Sequence, residues 1–551
     1  TMSRLEIKIF DSLRRVFLDG ENAYPEIKNG EALQDDFYNF QISLRLANAV
    51  EGERLRAIPT LKSPIADKIT MLRVGNVPAE MPGYPQNDGF FERIEPGLFP
   101  DPLFPLDKNG VYGREGLSYS LWIRVSTKGL AAGDYGISVS FANDKKEDLG
   151  ETYFSLKVLP VKKPKQKLIY TQWFHSDCLS TYYKVPAFSE KHWEIIENFI
   201  ATAAENGVNM LLTPLFTLPL DTVVGGERPT TQLVNVKKDG NAYTFGFEKL
   251  RRWIKTAKKH GIKYFEFSHF FTQWGAKATP KIVAEVGGKE KRIFGWDTPA
   301  AGKKYDRFLA AFIPELEKVI EEEKIGSRVF FHVSDEPTDE HLEPYTAARN
   351  LLKKHLSPKY PVIDALSDHE FYKRGLVDNP IPGTDRCEAF MEDKTIKDRW
   401  AYYCCTQNKL VSNRFFSMSS ARNRIIGMQI YKYGLKGFLH WGYNFWYTQY
   451  SLSDIDPFMT TDAGGVFPSG DSFSVYPGKD GKVVPSLRLY VFSEALSDLA
   501  ALQALEKKIG REATLSLLEK GLEKPLTFKE YPRDAEWLLS KREEINAALC
   551  K

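Results

Sequence analysis

The chain has 551 residues, 42% hydrophobic and 27% charged, which is too long for one ordinary domain and apolar enough to bury a core. A net charge of +3 without any long Lys/Arg run argues against a nucleic-acid-binding protein. No apolar run is long enough to span a membrane and the N-terminal TMSRLEIKIF has no signal-peptide core, so a soluble protein is expected, cytoplasmic or secreted with its signal removed.

Residues 1–165 read as β. Tyr119, Leu121, Ile123 and Val125 alternate with mainly polar neighbours, as do Tyr135, Ile137, Val139 and Phe141, and then Phe154, Leu156 and Val158. Period-two alternation puts every second side chain on one face. With turn signals such as Ala132-Gly133-Asp134 between strands, this predicts a β-sandwich, closed by a stiff linker from Pro160 to Lys167.

Strands and helices then alternate. Strands are predicted near 167, 209, 262, 328, 361, 387, 399 and 437, the sixth around Cys387 to Phe390. Helical stripes intervene: Trp193, Ile196, Ile200 and Ala203; Leu250, Trp253, Ile254 and Ala257; Tyr305, Phe308, Phe312 and Leu316; and a helix over Ser419 to Tyr433. Asp239-Gly240 marks a hairpin. Eight βα units predict an α/β fold with a (β/α)8 TIM barrel over 166–484, preceded by the sandwich over 1–165. Residues 485–551 read as helices packing on or closing the barrel.

Active sites of such barrels lie at the C-terminal ends of the strands. Those ends carry Trp173, His175 and Asp177; Glu266, His269 and Trp274; Asp335 and Glu336; Tyr402 and Tyr403; and His440, Trp441, Tyr443, Asn444 and Trp446. Aromatic rings with carboxylates and amides suit a sugar pocket, the rings packing on C–H faces and the polar groups reading hydroxyls. Each feature also has a plain structural reading. The histidines serve equally as core residues, the tryptophans as packing, and only one of Tyr402 and Tyr403 can point inward. Asp335-Glu336-Pro337 could cap a helix through Thr338 to Asn350; the place of the pair at the end of the fourth strand favours chemistry instead. The five cysteines (178, 387, 404, 405 and 550) lack zinc-ligand spacing and the nine histidines form no HxH pair, so neither a metal nor a cofactor is expected.

Two adjacent carboxylates cannot easily face each other across an anomeric carbon, as ordinary glycosidases require. They can serve a 2-acetamido sugar, whose carbonyl oxygen attacks C1 to give an oxazolinium ion. Glu336, with the longer reach, suits the acid; Asp335 suits the group that orients the acetamido N–H. The acid needs a raised pKa from burial and its like-charged neighbour.

The chain also resembles the family 123 glycoside hydrolases, which are β-N-acetylgalactosaminidases. The resemblance rests on WFHSDCL at Trp173, NMLLTPLFTLPLDT at Asn209, GGERPTTQLV at Gly225, HFFTQWGA at His269, IFGW at Ile293 and FHVSDEP at Phe331. It implies a retaining exo-hydrolase that removes terminal β-linked GalNAc from oligosaccharides such as those of glycosphingolipids, with Asp335 and Glu336 as the catalytic pair. The substrate-binding candidates are His269, Trp274, Tyr402, Trp441 and Asn444, with His175, Asp177, Glu227 and Arg228 behind them; Tyr402 is the candidate to hold the acetamido carbonyl. The alternatives are a β-N-acetylglucosaminidase or other glycosidase, since GlcNAc differs only at C4, or an inactive carbohydrate-binding barrel.

Overall fold

The computed structural model describes residues 4–551. The N-terminal part comprises β1 (Leu5–Asp11), β2 (Asn29–Gln34), β3 (Phe37–Leu46), β4 (Arg54–Lys62), β5 (Ile69–Ala79), β6 (Gly97–Pro105), β7 (Val111–Arg114), β8 (Ser118–Ser126), β9 (Gly133–Ala142) and β10 (Asp148–Lys162). They form two five-stranded sheets, ordered β1-β3-β8-β5-β6 and β2-β10-β9-β4-β7. Leu121, Ile123 and Val125 of β8 share one buried cluster with Ile137, Val139, Phe141, Phe154 and Leu156, as the alternation requires.

The other face of β8 is buried too: Ser120, Trp122 and Arg124 are all shielded. Trp122 lies 6.3 Å from the Tyr490 ring, and the Arg124 guanidinium sits 3.7 Å over that ring. A face that reads as solvent-facing is therefore an interface. The Pro160–Lys167 linker is shorter than the composition suggests, because β10 runs to Lys162.

Next come β11 (Ile169–Gln172), α1 (Ser176–Tyr183), α2 (Glu190–Glu205), β12 (Met210–Thr213), β13 (Asn235–Asp239), β14 (Ala242–Gly246), α3 (Glu248–Lys259) and β15 (Tyr264–Phe267). Then follow β16 (Ile282–Val286), β17 (Lys289–Phe294), α4 (Lys303–Glu322), β18 (Val329–Phe330), α5 (Leu342–His355), β19 (Ile363–Ala365), α6 (His369–Lys373) and β20 (Asn379–Ile381). The chain continues through α7 (Glu388–Glu392), β21 (Trp400–Tyr402), α8 (Ser420–Arg424), α9 (Ile426–Tyr433), β22 (Gly437–His440), β23 (Val475–Pro477) and β24 (Val483–Pro485). It ends in α10 (Leu487–Ile509), α11 (Arg511–Glu519) and α12 (Ala535–Leu549).

The fold is thus mixed α/β. Eight short strands pair in parallel as β11-β22-β21, β12-β15-β18 and β19-β20. Single parallel bridges, Phe331 to Val362 and Gly383 to Tyr402, link β18 towards β19 and β20 towards β21. Buried on both faces, these strands read as continuous apolar runs such as Met210-Leu211-Leu212.

Two expectations need correction. The sixth strand is β20, not Cys387 to Phe390, which begins α7. Pro380 and Pro382 flank Ile381, so only three residues pair and no periodicity survives. The acidic pair does not cap a helix either. Thr338 is the N-cap of a 3-10 turn over Asp339–His341, in a capping box with His341, and α5 starts only at Leu342.

Candidate active site

The chain beyond β18 carries Asp335 and Glu336 to the wall of a cavity of about 410 Å³. Trp173 and His175 beyond β11, Asp221 beyond β12, and Gln273 and Trp274 beyond β15 line it as well. Ser367, Arg386 and Tyr402 with Cys404 and Cys405 come from the following segments, and Trp441 and Phe467 complete it. The strand ends converge here because the strands run in parallel.

The two carboxylates have different partners. Asp335 Oδ2 accepts from Gln273 Nε2 at 3.0 Å. Glu336 Oε1 accepts from the Tyr402 hydroxyl, and from Ser367 Oγ at 3.2 Å. The Glu336 backbone N–H donates to Ala365 O at 3.1 Å and holds the residue at φ 43°, a left-handed conformation that side-chain-bearing residues adopt at a cost. Two other residues of the wall share the left-handed backbone, Asp221 with φ 40° and Trp274 with φ 61°.

Burial, and then the Glu336 charge, push the Asp335 carboxyl up to about 7. Burial raises Glu336 as well, against the hydrogen bonds from Tyr402 and Ser367. Two raised carboxyls side by side titrate as a pair, the charge of one opposing ionisation of the other.

Beneath Asp335 lies a buried ionic cluster. His332 Nε2 meets Glu266 Oε2 at 2.7 Å, and its Nδ1 is 3.4 Å from Asp364 Oδ1. Burial alone would lower this imidazole, but Asp364 and Glu266 outweigh it and push it up to about 9. Glu266 also accepts from Thr171 and from Trp173 Nε1 at 3.2 Å, and Tyr345 donates to Asp364. A charged His332 favours the ionised form of Asp335.

Asp335, Glu336, His175, Trp274, Tyr402 and Trp441 all line the cavity. Tyr403 points the other way, 5.2 Å from Phe438 and 5.5 Å from His440. Tyr402 is engaged by Glu336, its hydroxyl donating to Oε1. Trp441 donates through Nε1 to Asp471 at 3.1 Å.

The remaining candidates are not on the wall. Asp177 and Arg228 form a fully buried, two-pronged ion pair at 2.8 and 2.9 Å. Arg228 also donates to His175 Nδ1 at 2.9 Å, while His175 Nε2 donates to Trp441 O at 2.9 Å. Burial, then Arg228, lower that imidazole to about 3, so it is neutral. Asn444 clasps the His175 backbone, accepting from its N–H at 2.8 Å and donating to its carbonyl at 3.0 Å. Glu227 is on the surface beside Lys281 and Arg292. His269 is buried, stacked 4.2 Å from His332 with 15° between the ring planes. Glu227 apart, these residues support the site from behind, which strand-end position alone does not distinguish from lining it.

Sequence reasoning passed over Asp221, Gln273, Ser367, Arg386 and the Cys404-Cys405 pair. The first two fall inside the stretches NMLLTPLFTLPLDT and HFFTQWGA, so the signal was within quoted motifs.

Among the described residues, His269, His332 and Asp364 bring possible metal-ligating atoms within 4.8 Å of one another. The geometry does not suit a metal. Both His332 nitrogens already face carboxylates, and stacked rings direct their nitrogens side by side rather than towards one point. His332 belongs to an ion-pair assembly with Glu266 and Asp364, on which the His269 ring stacks.

No curated protein matches the chain in sequence. Among solved structures, a family 123 glycoside hydrolase from Clostridium perfringens, studied for glycolipid glycan hydrolysis, superimposes with a TM-score of 0.73. It is 16% identical over 99% of this chain and 97% of its own, so the likeness is one of fold. β-Glucuronidases from Ruminococcus gnavus (TM-score 0.32, 11% identity, 84% of this chain and 67% of that one) and Parabacteroides merdae (0.31, 10%, 89% and 52%) are too distant to inform the site. Residues 173–505 match the family Glycoside hydrolase 123, catalytic domain. That span holds every residue of the cavity wall, and the chain belongs to glycoside hydrolase family 123.

Proposed function

We propose that the protein is a retaining exo-β-N-acetylgalactosaminidase working by substrate-assisted catalysis. The observation that carries this reading is the adjacent Asp335-Glu336 pair on one cavity wall, each carboxyl raised and each with its own partners. The acetamido carbonyl oxygen of the substrate attacks C1 while Glu336 gives its proton to the departing glycosidic oxygen. Asp335 accepts the acetamido N–H and offsets the positive charge of the oxazolinium ion. Glu336 then takes a proton from water, which attacks C1 from the vacated face and opens the ring with overall retention. Tyr402 and Ser367 hold Glu336 in its strained conformation. Trp173, Trp274 and Trp441 offer aromatic surface to the sugar.

The same reading takes the three parallel sheets as arcs of one (β/α)8 ring, supported by the bridges at Phe331 and Gly383 and by the collection of loops into one cavity. It takes the substrate as a terminal β-GalNAc of an oligosaccharide such as that of a glycosphingolipid. Specificity at C4 separates this from a β-N-acetylglucosaminidase.

Comparing nitrophenyl β-GalNAc, β-GlcNAc and β-galactoside tests it directly. β-GalNAc is expected to be cleaved fastest and the galactoside, which brings no nucleophile, not at all. A GalNAc-thiazoline is expected to inhibit competitively. A glycosyl ester trapped on Asp221, the third carboxylate of the cavity, would overturn the mechanism.

A further inference from the structure

Gln273 stands between the orienting carboxylate and the rim of the cavity. Its Nε2 donates to Asp335 Oδ2 at 3.0 Å, and its Oε1 accepts the backbone N–H of Asp221 at 2.6 Å. Asp221 in turn holds the rim: its Oδ2 accepts the Tyr450 N–H at 2.9 Å and its carbonyl accepts Ser451 Oγ at 2.7 Å. Tyr450 and Ser451 have φ values of 61° and 56°, so these hydrogen bonds offset backbone strain. The Tyr450 ring meets Trp274, the neighbour of Gln273, edge to face at 5.7 Å.

The amide serves Asp335 in one orientation only. A backbone N–H can only donate, so the oxygen of Gln273 must face Asp221 and the nitrogen must face Asp335. A fixed donor favours the carboxylate over the carboxylic acid. It also occupies Oδ2 and leaves Oδ1 as the free acceptor.

We propose that Gln273 is the positioning residue for Asp335: locked by Asp221, it favours the carboxylate form of Asp335 and aims its free oxygen at the substrate. This rests on the assignment of Asp335 as the orienting carboxylate, and deepens it. The other titratable groups acting on Asp335 are Glu336, Asp364 and His332, and Tyr402 feels its charge; substitution at 273 leaves all four in place.

The test uses Gln273→Ala and the isosteric Gln273→Glu, with kcat and KM followed from acidic to weakly alkaline pH on whichever nitrophenyl glycoside the wild type cleaves best. In Gln273→Ala, kcat is expected to fall about 100-fold with KM little changed. Its acidic limb should move to higher pH by about one unit, because Asp335 without its donor protonates more readily. Gln273→Glu places a second acceptor against Asp335 and should move the limb at least as far. An acidic limb unmoved in both variants, or losses that only follow a lower Tm, would overturn the proposal. If β-GalNAc is not the preferred substrate, the functional reading fails, while the limb on the preferred glycoside still decides the role of Gln273.

Discussion

Glu336 and Asp335 differ in what each is asked to do, and substitution separates the roles. Glu336→Gln should lower turnover of natural glycans by roughly 100- to 10,000-fold. Substrates with strongly acidic leaving groups should suffer much less, as initial-rate comparisons will read. Asp335 also carries a stability consequence. A buried carboxyl raised from 3.8 to about 7 opposes folding when ionised: the penalty is absent below the lower value, grows between the two and is complete above the upper. It is worth at most roughly 4 kcal/mol, less where cavity water reaches the group. Asp335→Asn should therefore raise Tm at weakly alkaline pH and leave it nearly unchanged at acidic pH, even as it slows catalysis. At this scale the sequence was legible where chemistry is unusual. Two adjacent carboxylates at a strand end stand out. Gln273 does not, because its importance is a direction fixed by a backbone N–H 52 positions away. Tyr402 could be paired with Tyr403 by strand geometry, but not with Glu336, which is a contact between distant segments.

Elements set which polar residues reach the cavity and which brace it. The buried Asp177–Arg228 pair ties α1 to the segment beyond β12 and fixes His175 through a third hydrogen bond. Asp177→Ala would leave a guanidinium buried without its counter-charge, costing about 3–5 kcal/mol; thermal or urea unfolding will read the loss. Arg228→Met with Asp177→Leu should recover much of it, because no charge is then stranded. Long helices such as α2 and α4 were plain from their apolar stripes, and β11, β12, β15 and β22 from compact apolar runs. The strand near Cys387 was misplaced because the true one is three residues long with Pro380 at its centre. Short strands next to prolines carry no period to read.

At the scale of the whole molecule, the sandwich is built into the enzyme. Arg488 of α10 forms a buried two-pronged pair with Asp101 of β6 at 2.8 and 2.9 Å, and Tyr476 donates to the same carboxylate. The face of β8 bearing Trp122 and Arg124 closes over Tyr490. Expressed alone, residues 166–551 should aggregate, since this apolar and charged face would be stripped of its cover; solubility and gel filtration will check it. The alternation in β8 hid this, because polar residues on the second face look solvent-facing in a sequence. The end of β5 and the loop that joins it to β6 reach further. Pro78 of β5 accepts from Thr461, Met81 of the loop from Ser469 and Pro82 from Ser417, and Asp88 pairs with Arg422. The segments they grip run on to Phe467 and back to Cys405 on the cavity wall. Recombination therefore has few places to cut this gene: a sandwich borrowed from a distant relative would bring a foreign loop to the edge of the sugar pocket. The two parts are best inherited together, because a change in this loop is felt at the cavity wall.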